Sequence, residues 1–228
     1  MAHRYIGFIK ILFGFLFCVP VILCAQTYDA GGLLGMEYGK KIGKGFHFGA
    51  IAELRLNEYY TNFDRMKVGG EFDYTFFKKR FKIRIGAHYL LTDQENYYEN
   101  RGRVYASFTY TEKIKRFKLS FRVRPQATFY ETTYGNHKVN PKTYLRNRLQ
   151  LTYSFFSKPV KLYVSTEFFL RLYQKKNYFI DNFRTLVGAE YQFNDRSSLN
   201  MFFRVDNEIQ VKNPANVFYV GVFYNFSH

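Results

Sequence analysis

From about residue 45 onward the chain repeats one pattern, a long run with an apolar residue at every second position followed by a polar break. In the stretch Phe46 to Leu56, one parity holds Phe46, Phe48, Ala50, Ala52, Leu54 and Leu56, and the other holds His47, Glu53 and Arg55. Successive side chains of a β-strand point to opposite faces, whereas a helix would scatter both sets around its circumference, so this spacing predicts a strand. The pattern returns in Met66, Val68, Gly70, Phe72, Tyr74 and Phe76 against Arg65, Lys67, Glu71 and Asp73. It returns again in Phe81, Ile83, Ile85, Ala87, Tyr89 and Leu91 against Lys82, Arg84 and His88. Further runs cover residues 101–112, 117–130, 142–156, 160–173, 182–193, 198–211 and 217–226. Gly69-Gly70, inside the second run, reads as a bend in its strand.

These runs exceed the ~5–6 residues of an ordinary globular strand and suit the ~9–11 residues with which a tilted strand crosses a bilayer. The breaks alternate in length. Short turns at Lys78-Lys79-Arg80, Glu112 to Arg116, Ser157-Lys158-Pro159 and Asn194 to Ser197 take turns with longer connections at Asp93 to Asn100, Glu131 to Pro141 and Gln174 to Ile180. Outer-membrane barrels have short periplasmic turns and longer outer loops, so the alternation predicts a direction: the strands from Phe46 to Phe226 begin and end in the periplasm. Gly31 to Lys41 also reads as a strand and makes the total odd. Parallel closure, pairing at the seam, or a twelfth partner around Thr27 to Ala30 would each accommodate it. The expected fold is therefore all-β, an antiparallel transmembrane β-barrel of about ten to twelve strands in a single domain. A soluble sandwich or lipocalin-like barrel also alternates, and periodicity alone does not separate inside from outside.

Composition and the start of the chain favour the membrane. Aromatic residues make up 21% of the chain, with 21 Tyr, 27 Phe and no Trp. Tyr59, Tyr60, Phe63, Phe76, Phe77, Phe81, Tyr97, Tyr98, Phe117, Phe155, Phe156, Tyr178 and Phe179 fall at run ends or in breaks, where interfacial girdles place aromatics. Basic Arg4 and Lys10, an apolar stretch from Ile11 to Leu23 and Cys24-Ala25-Gln26 have the layout of a secretory signal peptide, giving a division into residues 1–25 as signal and 26–228 as barrel. Leu23 is bulky for the third position before the cut, and acylation of Cys24 or an uncleaved anchor are the other readings of this segment. Both cysteines, Cys18 and Cys24, lie in it, which leaves the barrel without disulfides or thiol metal sites. Its removal takes two charges from the formal +16 and leaves +14.

The last run, Val217 to Phe226, resembles the C-terminal signal by which barrels are recognised for insertion, although Ser227-His228 extends past the usual terminal aromatic. Short motifs along the mature chain carry a second resemblance. They are Glu53-Leu54-Arg55, Phe121-Arg122-Val123-Arg124-Pro125-Gln126, Leu145-Arg146-Asn147-Arg148-Leu149, Glu167-Phe168-Phe169, and Phe183-Arg184 leading to Gly188-Ala189-Glu190-Tyr191. Together they resemble an outer-membrane barrel family known as domain of unknown function 2490. The resemblance implies a barrel in a Gram-negative outer membrane, with membrane lipid and the barrel-insertion machinery as partners, and implies no activity or cofactor.

If the apolar parity meets lipid, the other parity lines the lumen, and there Arg and Lys far outnumber Glu53, Glu71, Asp73, Glu167, Glu190, Asp206 and Glu208. Arg122 and Arg124 precede a long connection, Arg146 and Arg148 follow it, and antiparallel pairing through it brings the four together on one face. Two readings follow for Arg122, Arg124, Arg146, Arg148, Glu53, Arg55, Glu167, Arg184 and Glu190. One is a structural filling of Arg–carboxylate pairs. The other is a site for a small anion, or a narrow anion-selective constriction.

A lipid-modifying hydrolase is the alternative function. His47, His88 and His137 would be its candidates, yet none has a serine or acidic pair at a recognisable spacing, so no catalytic residue is assigned. No metal-binding cluster or phosphate-cradling loop is present in the sequence. The basic residues alternate along strands and form no compact patch, which argues against nucleic acid as partner.

Overall fold

A computed structural model describes residues 27–94, 96–131, 141–172, 179–209 and 214–228. The segment read as a signal peptide, residues 1–25, lies outside the described residues. So do His137, Tyr178 and the Phe179 side chain.

Among the described residues the chain forms eleven strands: β1 (Thr27–Lys41), β2 (Phe46–Asn57), β3 (Asn62–Phe76), β4 (Phe81–Asp93), β5 (Tyr98–Ile114), β6 (Phe117–Tyr130), β7 (Lys142–Ser154), β8 (Val160–Leu172), β9 (Phe179–Gln192), β10 (Ser197–Glu208) and β11 (Ala215–Ser227). Each pairs antiparallel with its neighbour in sequence, and β1 pairs with β11 to close the barrel. That last pairing is parallel and runs from Thr27 opposite Ala215 to Gly39 opposite Ser227. The odd strand total is thus resolved by parallel closure, and the expected all-antiparallel barrel carries one parallel seam. Some strands run further than the alternation suggested: β5 continues to Ile114, which reduces the turn expected over Glu112 to Arg116 to Lys115 and Arg116.

The connections β1–β2, β3–β4, β5–β6, β7–β8 and β9–β10 all lie at one end, which also receives the end of β11; this is the turn end. The opposite, loop end carries the other connections and the start of β1. Outward-facing parity is apolar over most of the barrel wall, with Asn147, Thr166 and Thr185 as exceptions: Leu34, Met36, Phe72, Ile85, Val104, Phe121, Val187 and Val220 are exposed there. Such a continuous apolar exterior is stable where lipid, not water, is the solvent. Around the turn end, aromatic rings touch in sequence from Phe46 through Tyr74 and Phe76 to Phe81 and Tyr110, and again at Phe117, Tyr153 and Phe155. They form the girdle expected where hydrocarbon gives way to headgroups.

The seam is also where the lumen is apolar. Leu33 on β1 packs with Tyr219 and Phe223 on β11, flanked by Ile51, Phe202 and Val217. This is possible because β1 places Gly31 opposite Tyr219 and Gly35 opposite Phe223, so that each ring lies over bare backbone. A Cβ on Gly31 would collide with the Leu56 carbonyl oxygen, and one on Gly35 with the Phe223 ring. Gly39, by contrast, has open space around it.

Gly31→Val and Gly35→Val should each destabilise the closed barrel by about 1–3 kcal/mol through overpacking, read as a lowered urea midpoint for the micelle-refolded protein. Gly39→Ala should leave that midpoint unchanged.

Candidate functional site: a cationic lumen

Antiparallel pairing of β6 with β7 sets Arg122 directly opposite Arg148 and Arg124 directly opposite Arg146. All four point inward. Like charges at directly opposed positions repel, so the arrangement needs compensation from elsewhere. The next strand supplies part of it through Glu167 on β8, which stands opposite Arg148 in the ladder. Its carboxylate accepts from Arg122 Nη2 at 2.5 Å and from Arg146 at 3.0 and 3.1 Å, and lies 4.0 Å from Arg184. Arg146 also donates to Gln126 Oε1 at 3.0 Å, and both Arg146 and Glu167 are buried.

From Glu167 the network continues to β9 and β10. Arg184 makes a two-point contact with Asp206 at 2.6 and 2.8 Å, and Arg204 reaches the same carboxylate at 3.2 Å. Aromatic rings fill the spaces between charges. Arg146 and Arg184 stack over Phe169 at 4.4 and 4.9 Å, while Arg204 and Arg55 stack over Tyr219 at 4.2 and 5.4 Å. Guanidinium planes are suited to this because they are weakly hydrated and flat, and keep their edge N–H groups available for carboxylates.

Glu53 and Glu190, expected to serve the arginines, pair with lysines. Glu53 takes Lys67 at 2.5 Å and Glu190 takes Lys161 at 2.7 Å. Arg55 is held by Asp64, which sequence parity assigns to the lipid face. The pairing of β2 with β3 shifts register between Arg55 and Leu56, leaving Asp64 as the extra residue of a bulge that turns it inward. The same device operates on β9. A register shift between Phe169 and Leu170 makes Asp181 the extra residue, and it pairs with Arg171 and accepts a hydrogen bond from Tyr144 at 3.0 Å. Strict alternation passes over both aspartates; the only sequence signal is an acidic residue on an apolar parity next to a strand end.

A cavity of about 910 Å³ opens among the residues of the turn end. Its walls include Glu37, Lys82, Arg84, Lys161 and Glu190, and its lining reaches inward to Lys67, His88, Tyr105, Arg122, Arg124 and Arg148. Wall charges are largely paired: Arg84 bridges Glu71 at 2.5 Å and Asp73 at 2.9 Å, and Lys82 and His47 lie 3.4 and 3.3 Å from Asp73. The inner end differs. Arg124 stacks over Tyr105 at 4.2 Å and contacts no carboxylate, Arg148 contacts none either, and neither ring nitrogen of His88 has a hydrogen-bond partner among the described residues. No serine hydroxyl is hydrogen-bonded to His47 or His88, so the hydrolase alternative finds no nucleophile–base pair among the described residues.

An apolar exterior, an aromatic girdle and a charged, mostly paired interior define the class: a transmembrane β-barrel. The chain belongs to the family described as "Protein of unknown function (DUF2490)", whose model matches residues 31–217. Its fold is similar to that of the NanC porin, at 12% identity over 78% of this chain and 86% of that chain, with a TM-score of 0.49. It is similar also to the translocator domain of the autotransporter NalP from Neisseria meningitidis, at 10% identity over 77% and 72% of the two chains and a TM-score of 0.44. A third similarity is to an anion-selective porin from Comamonas acidovorans, at 14% identity over 83% of this chain and 54% of that one, with a TM-score of 0.38. No curated protein matches the chain.

Glu167→Gln removes the one carboxylate shared by Arg122 and Arg146 and should cost about 3 kcal/mol or more, since it strands buried guanidiniums. Equilibrium urea unfolding in micelles should show the loss, and Glu190→Gln, whose partner Lys161 is half-exposed, should show little.

Proposed function

We propose that this chain is an outer-membrane barrel whose lumen attracts and binds anions, passing them in preference to cations where ions pass it. One observation carries the reading: Arg124 and Arg148 face a lumen cavity with no carboxylate in contact. Arg65 and Arg103 also lack a carboxylate in contact among the described residues, but Arg124 and Arg148 are the ones that line the cavity, where a solute would meet them. A concave site with low-dielectric walls concentrates the field of such charges and raises the local concentration of counter-ions. The longest connections, β6–β7, β8–β9 and β10–β11, fall at one end, and with the lipid-compatible exterior they support placement in an outer membrane, with the cavity mouth toward the periplasm.

In planar bilayers under a potassium chloride gradient, the reversal potential should lie on the chloride side of zero. Arg124→Glu combined with Arg148→Glu should move it toward or past zero. Cation preference in the unaltered protein would overturn the reading.

A further inference from the structure

The inner end of the turn-end cavity is short of negative charge by more than one unit. Three guanidiniums line it, those of Arg122, Arg124 and Arg148, and that of Arg146 stands directly opposite Arg124 in the same ladder, so the four form two directly opposed pairs. Among the described residues Glu167 is the one carboxylate that contacts any of the four, and the strongest electrostatic neighbours of Arg124 and Arg148 likewise include Glu167 as their one carboxylate. Four positive charges against one negative leave three uncompensated. Arg184, which also approaches Glu167, makes its closer contact with Asp206, a carboxylate it shares with Arg204.

Burying uncompensated charge is costly, and a monovalent anion would cancel only a third of the excess. The donors are also arranged for an anion with several oxygens. The Nε–H groups of Arg122 and Arg124 are buried without a hydrogen-bond partner, as are both nitrogens of His88. Arg124 sits over the Tyr105 ring at 4.2 Å, the Tyr105 hydroxyl donates to Glu71 at 2.7 Å, and the guanidinium so placed lines the cavity. Planar guanidiniums held at fixed angles match the paired oxygens of phosphate or carboxylate.

Among the described residues this cavity opens at the turn end. The cavity lining gathers Lys40, Lys41, Asn194, Arg196 and His228 at the turn end and stops at Arg124 and Arg148. Toward the loop end the lumen is occupied by the Arg184–Asp206–Arg204 ion pairs and the Tyr219 ring stacked between Arg204 and Arg55.

We infer that the inner end of this cavity is a binding site for a multivalent oxyanion, one bearing two or more negative charges on phosphate or carboxylate oxygens, which enters from the turn end. The inference rests on the anion reading above and gives it a ligand class and a direction. The test is isothermal titration of the full barrel in detergent micelles at pH 8 and constant ionic strength, with inorganic phosphate, citrate, acetate and chloride as probes. Phosphate and citrate should bind at least tenfold more tightly than acetate or chloride. Arg124→Gln with Arg148→Gln should remove that advantage, and Arg124→Lys with Arg148→Lys should keep part of it.

The Gln variant relieves repulsion, so in acetate buffer its thermal midpoint should equal or exceed that of the unaltered protein; a lower midpoint would argue that the four charges are not in excess and would overturn the inference. A polyethylene-glycol maleimide on Lys161→Cys, inside the cavity wall, should abolish phosphate binding, whereas the same adduct on Tyr97→Cys in the loop-end connection should leave it intact. The reverse pattern would overturn the direction of entry. Equal affinity for acetate and phosphate would sink the multivalent site while leaving the anion reading standing; no heat with any of the four probes would remove both.

Discussion

Hydrocarbon offers no hydrogen-bond partner to a peptide group, so a sheet placed in it must pair every strand edge, and the closed ring of eleven strands follows from that demand. With an odd number of strands in an up-and-down order, the first and last run in the same direction. Closure is then parallel, and the seam between β1 and β11 must be good enough to hold without a hairpin. It is reinforced from inside by Leu33, Tyr219 and Phe223, and the glycines opposite those rings allow the side chains of one strand to cover the backbone of the other. Aromatic packing over glycine supplies contact area where β1 itself has few large inward side chains.

Once the sheet is closed, every second residue is committed to the lumen, and the sequence puts mostly arginine and lysine there. A narrow barrel fills with its own side chains, which forces these charges into each other's company. Arg204 and Arg184 share Asp206, Arg122 and Arg146 share Glu167, and rings of Phe169 and Tyr219 lie between guanidiniums in place of further acids. Two bulges each recruit one more aspartate from the lipid parity. These devices pair many of the lumen cations and leave others without a carboxylate in contact among the described residues, Arg65 and Arg103 toward the loop end and Arg124 and Arg148 beside the turn-end cavity. A paired network and the proposed anion site are then two regions of one lumen, with Glu167 between them.

Much of this was legible in the chain. Period-two alternation gave the strands, their faces and their approximate ends, because the strand backbone alone fixes which side a residue takes. The long β6–β7 connection, flanked by Arg122-x-Arg124 and Arg146-x-Arg148, was enough to bring four arginines onto one patch, since antiparallel pairing across a connection is local in sequence. Composition and the aromatic run ends identified the membrane face. Less legible were the inward aspartates and the partners of Glu53 and Glu190. Parity is counted along one strand, whereas a bulge is a mismatch between two.

The sequence by itself determined that this is a barrel with a lipid-facing apolar side and a cationic inside, because those properties depend on residue order within single strands. Only the tertiary structure decided how the ring closes, which guanidiniums receive a carboxylate, and where a cavity remains. Those outcomes depend on strands far apart in the chain: Arg122 on β6 meets Glu167 on β8, and Tyr219 on β11 meets Arg55 on β2. Charge compensation is a sum over such neighbours, and it is known only when the sheet has closed around them.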